Sequence, residues 1–306
     1  GRGSTDAGGT DSSTPYGEAY EHSLLFFSLM SADPLTDFSR LCVHTITTKG
    51  WELEEAVDDY AEAGVSGITV WRQWLDGRNA SQAGERIRAA GLEVVSLCRG
   101  GFYPAVEEKT RKESILDNQR AIEDAAALGA PLVVLVCGAV PGQSLEESRK
   151  QITDGIAATL PLAESLGMKL AIEPLHPMYA DDRSAVNSLA SANDICDQLN
   201  HPLVGIAFDV YHLWWDPELE EQTRRTAEAN RFFAYHVCDW MTPTHDLLND
   251  RGLMGEGCID LRGIRAMVEQ NGFHGMIEVE VFSNRWWKKP PAEFLQAIQH
   301  AYLHHT

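Results

Sequence analysis

The sequence predicts an α/β protein built as a (β/α)8 TIM barrel, in a single domain with an N-terminal extension. Three observations support this prediction. Eight short apolar runs follow one another along the chain, segments with apolar residues at helical spacing separate them, and no Pro/Gly/Ser-rich linker divides the chain after residue 40. An open doubly wound sheet is the alternative that the same alternation of strands and helices allows.

The eight apolar runs are the predicted strands. They are LCVHTI (41–46), GITVW (67–71), LEVVSL (92–97), PLVVLVC (131–137), KLAIE (169–173), VGIAFD (204–209), FFAYHVCD (232–239) and MIEVEVF (276–282). The segments between them predict amphipathic helices, as at 53–64, 111–129 and 148–167. A glycine often closes such a segment, which suits a left-handed C-cap. Strand and helix thus alternate eight times, as in a closed parallel barrel.

We assign residues 41–306 to the barrel and residues 1–40 to a flexible arm and N-terminal extension. The first 15 residues are small, polar and Gly-rich, and the run SLLFFSLM (23–30) is too short to span a bilayer. We expect Phe26 and Phe27 in that run to cover a subunit interface or the closed end of the barrel. The six cysteines form no C-x-x-C pair, so we interpret them as buried thiols of a cytoplasmic protein.

The charge balance limits the partners that the chain can have. Lys and Arg number 25 against 45 Asp and Glu, which gives a formal net charge of −20. Phosphate backbones and anionic membrane surfaces repel such a chain. Composition therefore argues against nucleic-acid and membrane partners and favours small neutral substrates.

Four consecutive predicted strands end in metal-ligand side chains, namely Glu173, Asp209, His236 and either Glu278 or Glu280. In an eight-stranded α/β barrel the active site lies at the carboxyl ends of the strands. A charge in an apolar run needs compensation, because stripping water from a carboxylate is costly. Three carboxylates and an imidazole at one barrel mouth suit a divalent ion such as Mn, Co, Mg or Fe. A salt bridge or a solvated strand end explains any one of them taken alone.

Other polar and aromatic residues lie at the same predicted rim. His44 ends the first strand, and Arg72 and Arg99 follow the second and third, where each contacts substrate or forms a structural ion pair. Indoles at this end either stack on a sugar or an aromatic aglycone or pack the rim. These are Trp71, Trp214, Trp215 and Trp286.

The set IEP, FDVYH, YHVCDW, DRGLMGEGCIDL and GFHGMIEVEVF resembles the xylose-isomerase-like barrel superfamily of sugar isomerases and epimerases. This resemblance implies the metal ligands Glu173, Asp209, His236 and Glu280, with Glu280 preferred to Glu278 because it directly precedes Val-Phe. It also implies contacts of His212 and Arg251 with substrate hydroxyls. His176 stands where the epimerases often carry Asn, and Met254 replaces a common Pro.

The resemblance implies a metal-dependent enzyme, with Mn²⁺ expected first and Mg²⁺ or Co²⁺ as alternatives, that removes a proton next to the carbonyl of a keto-sugar. Glu173 and Glu280 are then the acid and base. The chain is also similar to the barrel subunit of C-glycoside deglycosidases. That similarity implies a lyase acting on 3-keto-glycosides, a small second subunit, and His176 or His212 as acid or base.

Two further hypotheses stay open at this stage. One is the DNA-cutting AP-endonuclease branch of the same barrel, which calls for more histidines at strand ends and a basic face. The other is a catalytically inactive barrel that serves as a binding subunit, which the loss of a ligand would indicate. We expect an enzyme that acts on a small sugar or glycoside as a homo-oligomer, with His44, Trp71 and Trp215 among the residues that contact substrate.

Overall fold

A computed structural model describes residues 31–306, in which eight parallel strands close into a barrel in the order β1-β10-β7-β6-β5-β4-β3-β2. The predicted TIM barrel is confirmed, and the open sheet is wrong. The barrel strands are β1 (Leu41–His44), β2 (Gly67–Trp71), β3 (Glu93–Gly101), β4 (Leu132–Val136), β5 (Lys169–Ile172), β6 (Val204–Asp209), β7 (Phe232–Val237) and β10 (Ile277–Val279). A ribbon of β8 (Asp239–Trp240) and β9 (Arg251–Gly252) lies outside this sheet.

Helices follow the barrel strands as the periodicity predicts. They are α1 (Leu53–Glu62), α2 (Ala80–Ala89), α3 (Glu108–Leu128), α4 (Leu145–Leu166), α5 (Leu189–Leu199), α6 (Val210–Leu213), α7 (Leu219–Glu228), α8 (Leu261–Gln270) and α9 (Pro291–His305). Gly129 and Gly167 end α3 and α4 with φ of +85° and +64°, so both predicted left-handed caps are present. No helix in the described part of the chain is long and apolar enough to cross a membrane.

The hydrophobic core fills the barrel and the layer between strands and helices. Every residue of β2, β4 and β6 is buried, which is the pattern of parallel strands covered on both faces. Burial on both faces also explains why these strands read as continuous apolar runs. The polar side chains at their carboxyl ends are therefore held in a rigid frame.

Only β2 and β6 have the predicted bounds, and the differences in β3, β7 and β10 have a clear structural cause. β3 extends to Gly101, because its pairing with β4 shifts register between Cys98 and Gly100 and then continues. β7 ends at Val237 rather than at residue 239, and Asp239 pairs in the separate ribbon instead. β10 ends at Val279 rather than at residue 282, since the amide of Val281 donates to the Thr47 hydroxyl at 3.0 Å and leaves the ladder.

Asp239 anchors the turn that follows the ribbon. Its carboxylate accepts hydrogen bonds from the backbone amides of Trp240, Gly255 and Ile259 at 2.8, 2.9 and 3.0 Å. A Cβ on Gly257 would lie 2.2 Å from the Trp240 carbonyl oxygen, so only glycine allows this close approach. The Gly-Glu-Gly sequence thus packs against Asp239, and together they hold β9 beside the barrel mouth.

Residues 31–40 pack near the start of β1, where Arg40 pairs with Glu269 at 2.6 Å. Phe26 and Phe27, predicted to cover an interface or the closed end, lie outside the described residues. All six cysteines are free thiols. Five are buried as expected, but Cys258 is exposed, because the turn that carries it lies over Asp239 rather than in the core.

We expect Asp239→Ala to lower the free energy of unfolding by about 3 kcal/mol, since three backbone amides lose the buried carboxylate that accepts their hydrogen bonds. Asp246→Ala is the matched control. Asp246 also accepts two backbone amides, from Leu248 and Asn249, but in an exposed loop where water replaces it. Urea unfolding followed by circular dichroism measures both. Equal stability of the Asp239 variant and the wild type would show that the anchor contributes nothing.

Candidate metal centre and active site

Four acidic and imidazole side chains converge where β5, β6, β7 and β10 end. Glu173, Asp209, His236 and Glu280 are all buried, and each offers a ligand atom within 4.8 Å of the others. Strand pairing fixes their positions: the Glu173 amide donates to the Leu135 carbonyl at 3.0 Å, and the Glu280 amide to the Val237 carbonyl at 3.1 Å. The structure therefore brings together the four residues that the sequence predicted as ligands, with Glu280 rather than Glu278 in the cluster.

The chemistry of this cluster fits a divalent ion. Glu173 Oε1 and both ring nitrogens of His236 are buried and have no hydrogen-bond partner among the described residues. Buried polar atoms without a partner are costly, and a cation bound between Glu173 Oε1 and His236 Nδ1, which lie 3.3 Å apart, satisfies both of these atoms. Two ligand atoms about 2.1 Å from one ion lie at most about 4.2 Å apart, so the observed spread needs only a small contraction. Glu173, Asp209, His236 and Glu280 would hold the ion.

Arg251 supplies positive charge to the same carboxylates. Its Nη1 lies 3.1 Å from Asp209 Oδ2 and 2.9 Å from Glu280 Oε2, and the side chain is only 4 % exposed. Burial raises the pKa of Asp209 to about 7, a shift that Arg251 opposes and the Glu280 charge reinforces. The predicted substrate contact of Arg251 thus coincides with an ion-pairing role in the protein itself.

Glu278 lies one layer deeper in the barrel than Glu280. It accepts from His44 Nε2 at 2.8 Å and from Thr69 Oγ1 at 2.7 Å, and it lies 3.6 Å from His236 Nε2. A metal-ligating histidine usually directs its second nitrogen at a carboxylate in this way. Glu278 therefore supports the rings of His44 and His236 from below the cluster.

His44 connects this deeper carboxylate to the cluster, since its Nδ1 lies 3.2 Å from Glu280 Oε1. Burial lowers the pKa of His44, but the hydrogen bonds with Glu278 and Glu280 outweigh it and raise the value to about 9. The ring lies close to Glu278 through Nε2, while Nδ1 faces both Glu280 and the Trp71 indole. His44 orients Glu280 and, being fully buried, is not itself open to a substrate.

His212 is neutral and faces the cluster. Burial and the positive charge of Arg251 lower its pKa well below the usual value. The backbone amide of His176 donates to His212 Nδ1 at 3.0 Å, which leaves the ring proton on Nε2, 3.8 Å from Asp209 Oδ2. His212 is thus prepared to donate a hydrogen bond at the mouth of the site.

His176 lies at the edge of the site. Its Nδ1 accepts the Met178 amide at 3.1 Å, and its ring packs between Trp215 and Trp240 with centroids 5.6 and 4.9 Å away. The side chain is absent from the wall of the cavity over the cluster. Its contacts support a role in holding His212 through the backbone, and its predicted catalytic role stays a prediction.

The cavity over the cluster has aromatic walls. Trp71, Tyr179 and Phe282 line it together with Arg183 and Arg251. Trp71 packs edge-on against Phe282 at 5.4 Å, and its Nε1 lies 3.2 Å from His44 Nδ1. Trp71 thus lies in the wall of this cavity, and its stacking on a substrate stays a prediction.

The other indoles take positions outside that wall. Trp215 donates to the His212 carbonyl at 2.7 Å and supports the wall from behind. Trp286 stacks on Phe294 at 4.7 Å and pairs with Glu256, which is rim packing. Trp214 packs against Trp240 with centroids 5.7 Å apart.

Sequence reasoning missed Tyr179 and Arg183, which come from the loop after β5. Neither follows a strand directly, so the rule that chemistry sits at strand ends did not select them. Arg72, by contrast, was selected and forms a two-point ion pair with Asp117 at 2.8 and 3.0 Å. Of the two readings offered for Arg72, the structural one fits.

Comparison with known proteins agrees with this architecture. A family model described as the xylose isomerase-like TIM barrel matches residues 57–303, so the chain belongs to that family. The crystal structure of protein SMc04130 from Sinorhizobium meliloti 1021 is 46 % identical, with a TM-score of 0.84, over 87 % of this chain and 98 % of that chain.

Two further relatives carry functional descriptions of their own. An inosose isomerase of Bacillus velezensis is 25 % identical over 231 residues, which cover 74 % of this chain and 80 % of that protein. The crystal structure of IOLI protein with a bound zinc atom shares the fold, with a TM-score of 0.74 and 24 % identity over 86 % of this chain and 96 % of that chain.

We expect Arg251→Gln to lower the free energy of unfolding of the metal-free protein by about 3–5 kcal/mol, because Asp209 and Glu280 lose their buried counter-charge. The matched control is Arg72→Gln, which breaks a partly exposed pair and should cost at most about 1 kcal/mol. Chemical unfolding after dialysis against a chelator gives both values. Similar small losses for the two variants would contradict the role given to Arg251.

Proposed function

We propose that the chain is a divalent-metal-dependent enzyme of the sugar isomerase/epimerase type, which removes a proton next to the carbonyl of a keto-sugar. The observation that carries the proposal is the cluster of Glu173, Asp209, His236 and Glu280, with its unsatisfied ligand atoms, under an aromatic cavity. Family membership and the inosose isomerase relative support it. The proposal also takes up the predicted ion, with Mn²⁺ first and Mg²⁺ or Co²⁺ as alternatives.

The ion would be held by Glu173, Asp209, His236 and Glu280. When bound, it polarises a carbonyl and a neighbouring hydroxyl, which makes the C–H bond between them more acidic. The choice of hard oxygen ligands with one imidazole suits Mn²⁺, Mg²⁺ or Co²⁺ better than a thiolate-seeking ion. The ligand set thus favours these three ions without choosing among them.

The two ligand glutamates supply the proton chemistry in this proposal. Glu280 follows β10 and Glu173 follows β5, three strands away around the barrel, so they approach a substrate from different sides. One takes the proton from carbon, and the other, in its protonated form, donates its own proton to the opposite face of the enediolate. His44 holds Glu280 at 3.2 Å.

The remaining groups bind and orient the substrate. His212, with its proton on Nε2, and Arg251 donate to substrate hydroxyls, while Trp71 and Phe282 cover the apolar face of the sugar and exclude water. Arg251 then exchanges part of its ion pairing for contacts with the substrate. A substrate without those hydroxyls would leave buried donors unsatisfied.

The aromatic cavity wall also supports a second candidate function, a lyase that eliminates an aglycone from a 3-keto-glycoside. Trp71, Tyr179 and Phe282 offer a surface on which a flat aglycone can stack. Proton removal is common to both reactions, and only the fate of the enolate differs. The homo-oligomer and the small second subunit stay predictions, which size-exclusion chromatography of the chain alone tests.

Measurements of bound metal distinguish the role of Glu280 from that of Glu278. We expect Glu280→Gln to lose stoichiometric divalent metal after dialysis, because a direct ligand is gone. Glu278→Gln should retain the metal but bind it about tenfold more weakly, since it acts through His44 and His236. Mass spectrometry of metal content and a metal titration measure these effects. If the Glu280 variant retained all of its metal, the ion would not bind at this cluster.

Deuterium exchange tests the reaction itself. We expect the metal-loaded enzyme in D₂O to introduce deuterium beside the carbonyl of a ketose, with a new epimer or aldose in the proton NMR spectrum. Glu173→Gln and Glu280→Gln should each reduce the rate by at least about 100-fold. A parallel panel of 3-keto-glycosides that releases aglycone would instead select the lyase. No exchange and no release with either panel would overturn the proposal.

A further inference from the structure

Two arginines at the barrel mouth pair with neither a carboxylate nor a backbone carbonyl of the described residues. Within residues 31–306, nearly every arginine pairs with a carboxylate or donates to a backbone carbonyl, as Arg72 does with Asp117 and Arg149 with the Ala185 carbonyl. Arg99 and Arg183 make neither contact with the described residues, and Arg262, on the outer helix α8, is the third such case. Unpaired cations are unexpected in a chain whose net charge is −20.

Arg99 and Arg183 come from the two sides of the end of β4. Arg99 lies in β3, whose Gly101 pairs with Val136 at the end of β4. Arg183 is fixed by its carbonyl, which accepts the Gly138 amide at 2.9 Å just beyond the same strand. Its side chain lines the cavity that contains Glu173 and Glu280.

The two guanidinium groups influence each other. Burial lowers the pKa of Arg99 to about 10, and the positive charge of Arg183 adds to that effect. Aromatic rings support both groups, since Arg99 lies 4.2 Å from the Phe102 ring centroid and Arg183 lies 5.8 Å from that of Tyr179. These cation–ring contacts leave the N–H donors of both groups without a hydrogen-bond acceptor among the described residues.

Two half-buried like charges repel each other, and an anion between or beside them offsets this repulsion. The planar fork of a guanidinium matches the oxygens of a carboxylate or a phosphate ester in two-point contacts. A neutral sugar gives no reason to place two such forks together, and the acidic residues of the chain leave both without a partner. The arrangement therefore suits an anionic group that enters with the ligand.

We propose that Arg99 and Arg183 bind an anionic group of the substrate, a carboxylate or a phosphate ester, while the carbonyl end lies at the cluster of Glu173 and Glu280. This inference rests on the proposed function and narrows its substrate class. It also revises the expectation of a neutral substrate, which came from the net charge alone, because the local charge at the site differs from that of the whole chain.

Isothermal titration calorimetry of the metal-loaded enzyme with inorganic phosphate and with D-glucuronate tests the site without catalysis. We expect the double variant Arg99→Gln/Arg183→Gln to bind at least one anion about tenfold or more weakly than the wild type, while Arg72→Gln binds as the wild type does. Loss of only phosphate or only glucuronate identifies the class of anion. If neither anion binds the wild type more tightly than the double variant, the inference is overturned.

Exchange kinetics separate this inference from the proposed function. Fructose, fructose 6-phosphate and fructuronate are compared by deuterium incorporation in D₂O. We expect an anionic member to exchange at least about tenfold faster than fructose, an advantage that the double variant loses. Exchange of fructose with no anionic advantage would defeat the inference and keep the proposed function. Binding of an anion through the arginines with no exchange would defeat the proposed function and keep the site.

Discussion

The structure depends on the compensation of four buried carboxylates at one end of the barrel. Glu173, Asp209, Glu278 and Glu280 lie in or beside the barrel core, where an unpaired charge is costly. Arg251 and the protonated rings of His44 and His236 offset three of them, and the pKa of each ring is raised to about 9. A divalent ion would offset negative charge that remains, with His236 giving up its proton to become a ligand. Metal binding would therefore also balance the charge of the buried carboxylates.

The rest of the fold serves this end of the barrel. Strand pairing holds the acidic residues at fixed heights, and the ribbon of β8 and β9 carries Arg251 to them. Asp239 lies outside the cluster but fixes the turn after that ribbon, so its buried carboxylate helps to hold Arg251 in place. The loop after β5 adds Tyr179 and Arg183 to the opposite wall. Rigid strands set the reacting groups, while loops supply the groups that select the ligand.

The barrel and the four cluster residues followed from sequence because both rest on local patterns. Apolar runs that end in charges mark strand ends, and Glu173 and Asp209 obey that rule, whereas the family resemblance was needed to choose Glu280 over Glu278. The different roles of Arg72 and Arg99 did not follow from sequence. Arg72 pairs with Asp117, a residue distant in sequence, whereas Arg99 does not, and only the folded structure shows this. The end of β7 and the exposure of Cys258 were missed for a similar reason. The Asp239 turn that sets them is a tertiary contact.

The most direct test of the central claim is anomalous diffraction at the manganese absorption edge from crystals soaked with Mn²⁺. We expect one strong peak in contact with Glu173, Asp209, His236 and Glu280. A peak at the histidines of α9, His300, His304 and His305, with none at the barrel mouth, would contradict it. So would a barrel mouth in which Arg251 keeps both of its ion pairs and no ion binds.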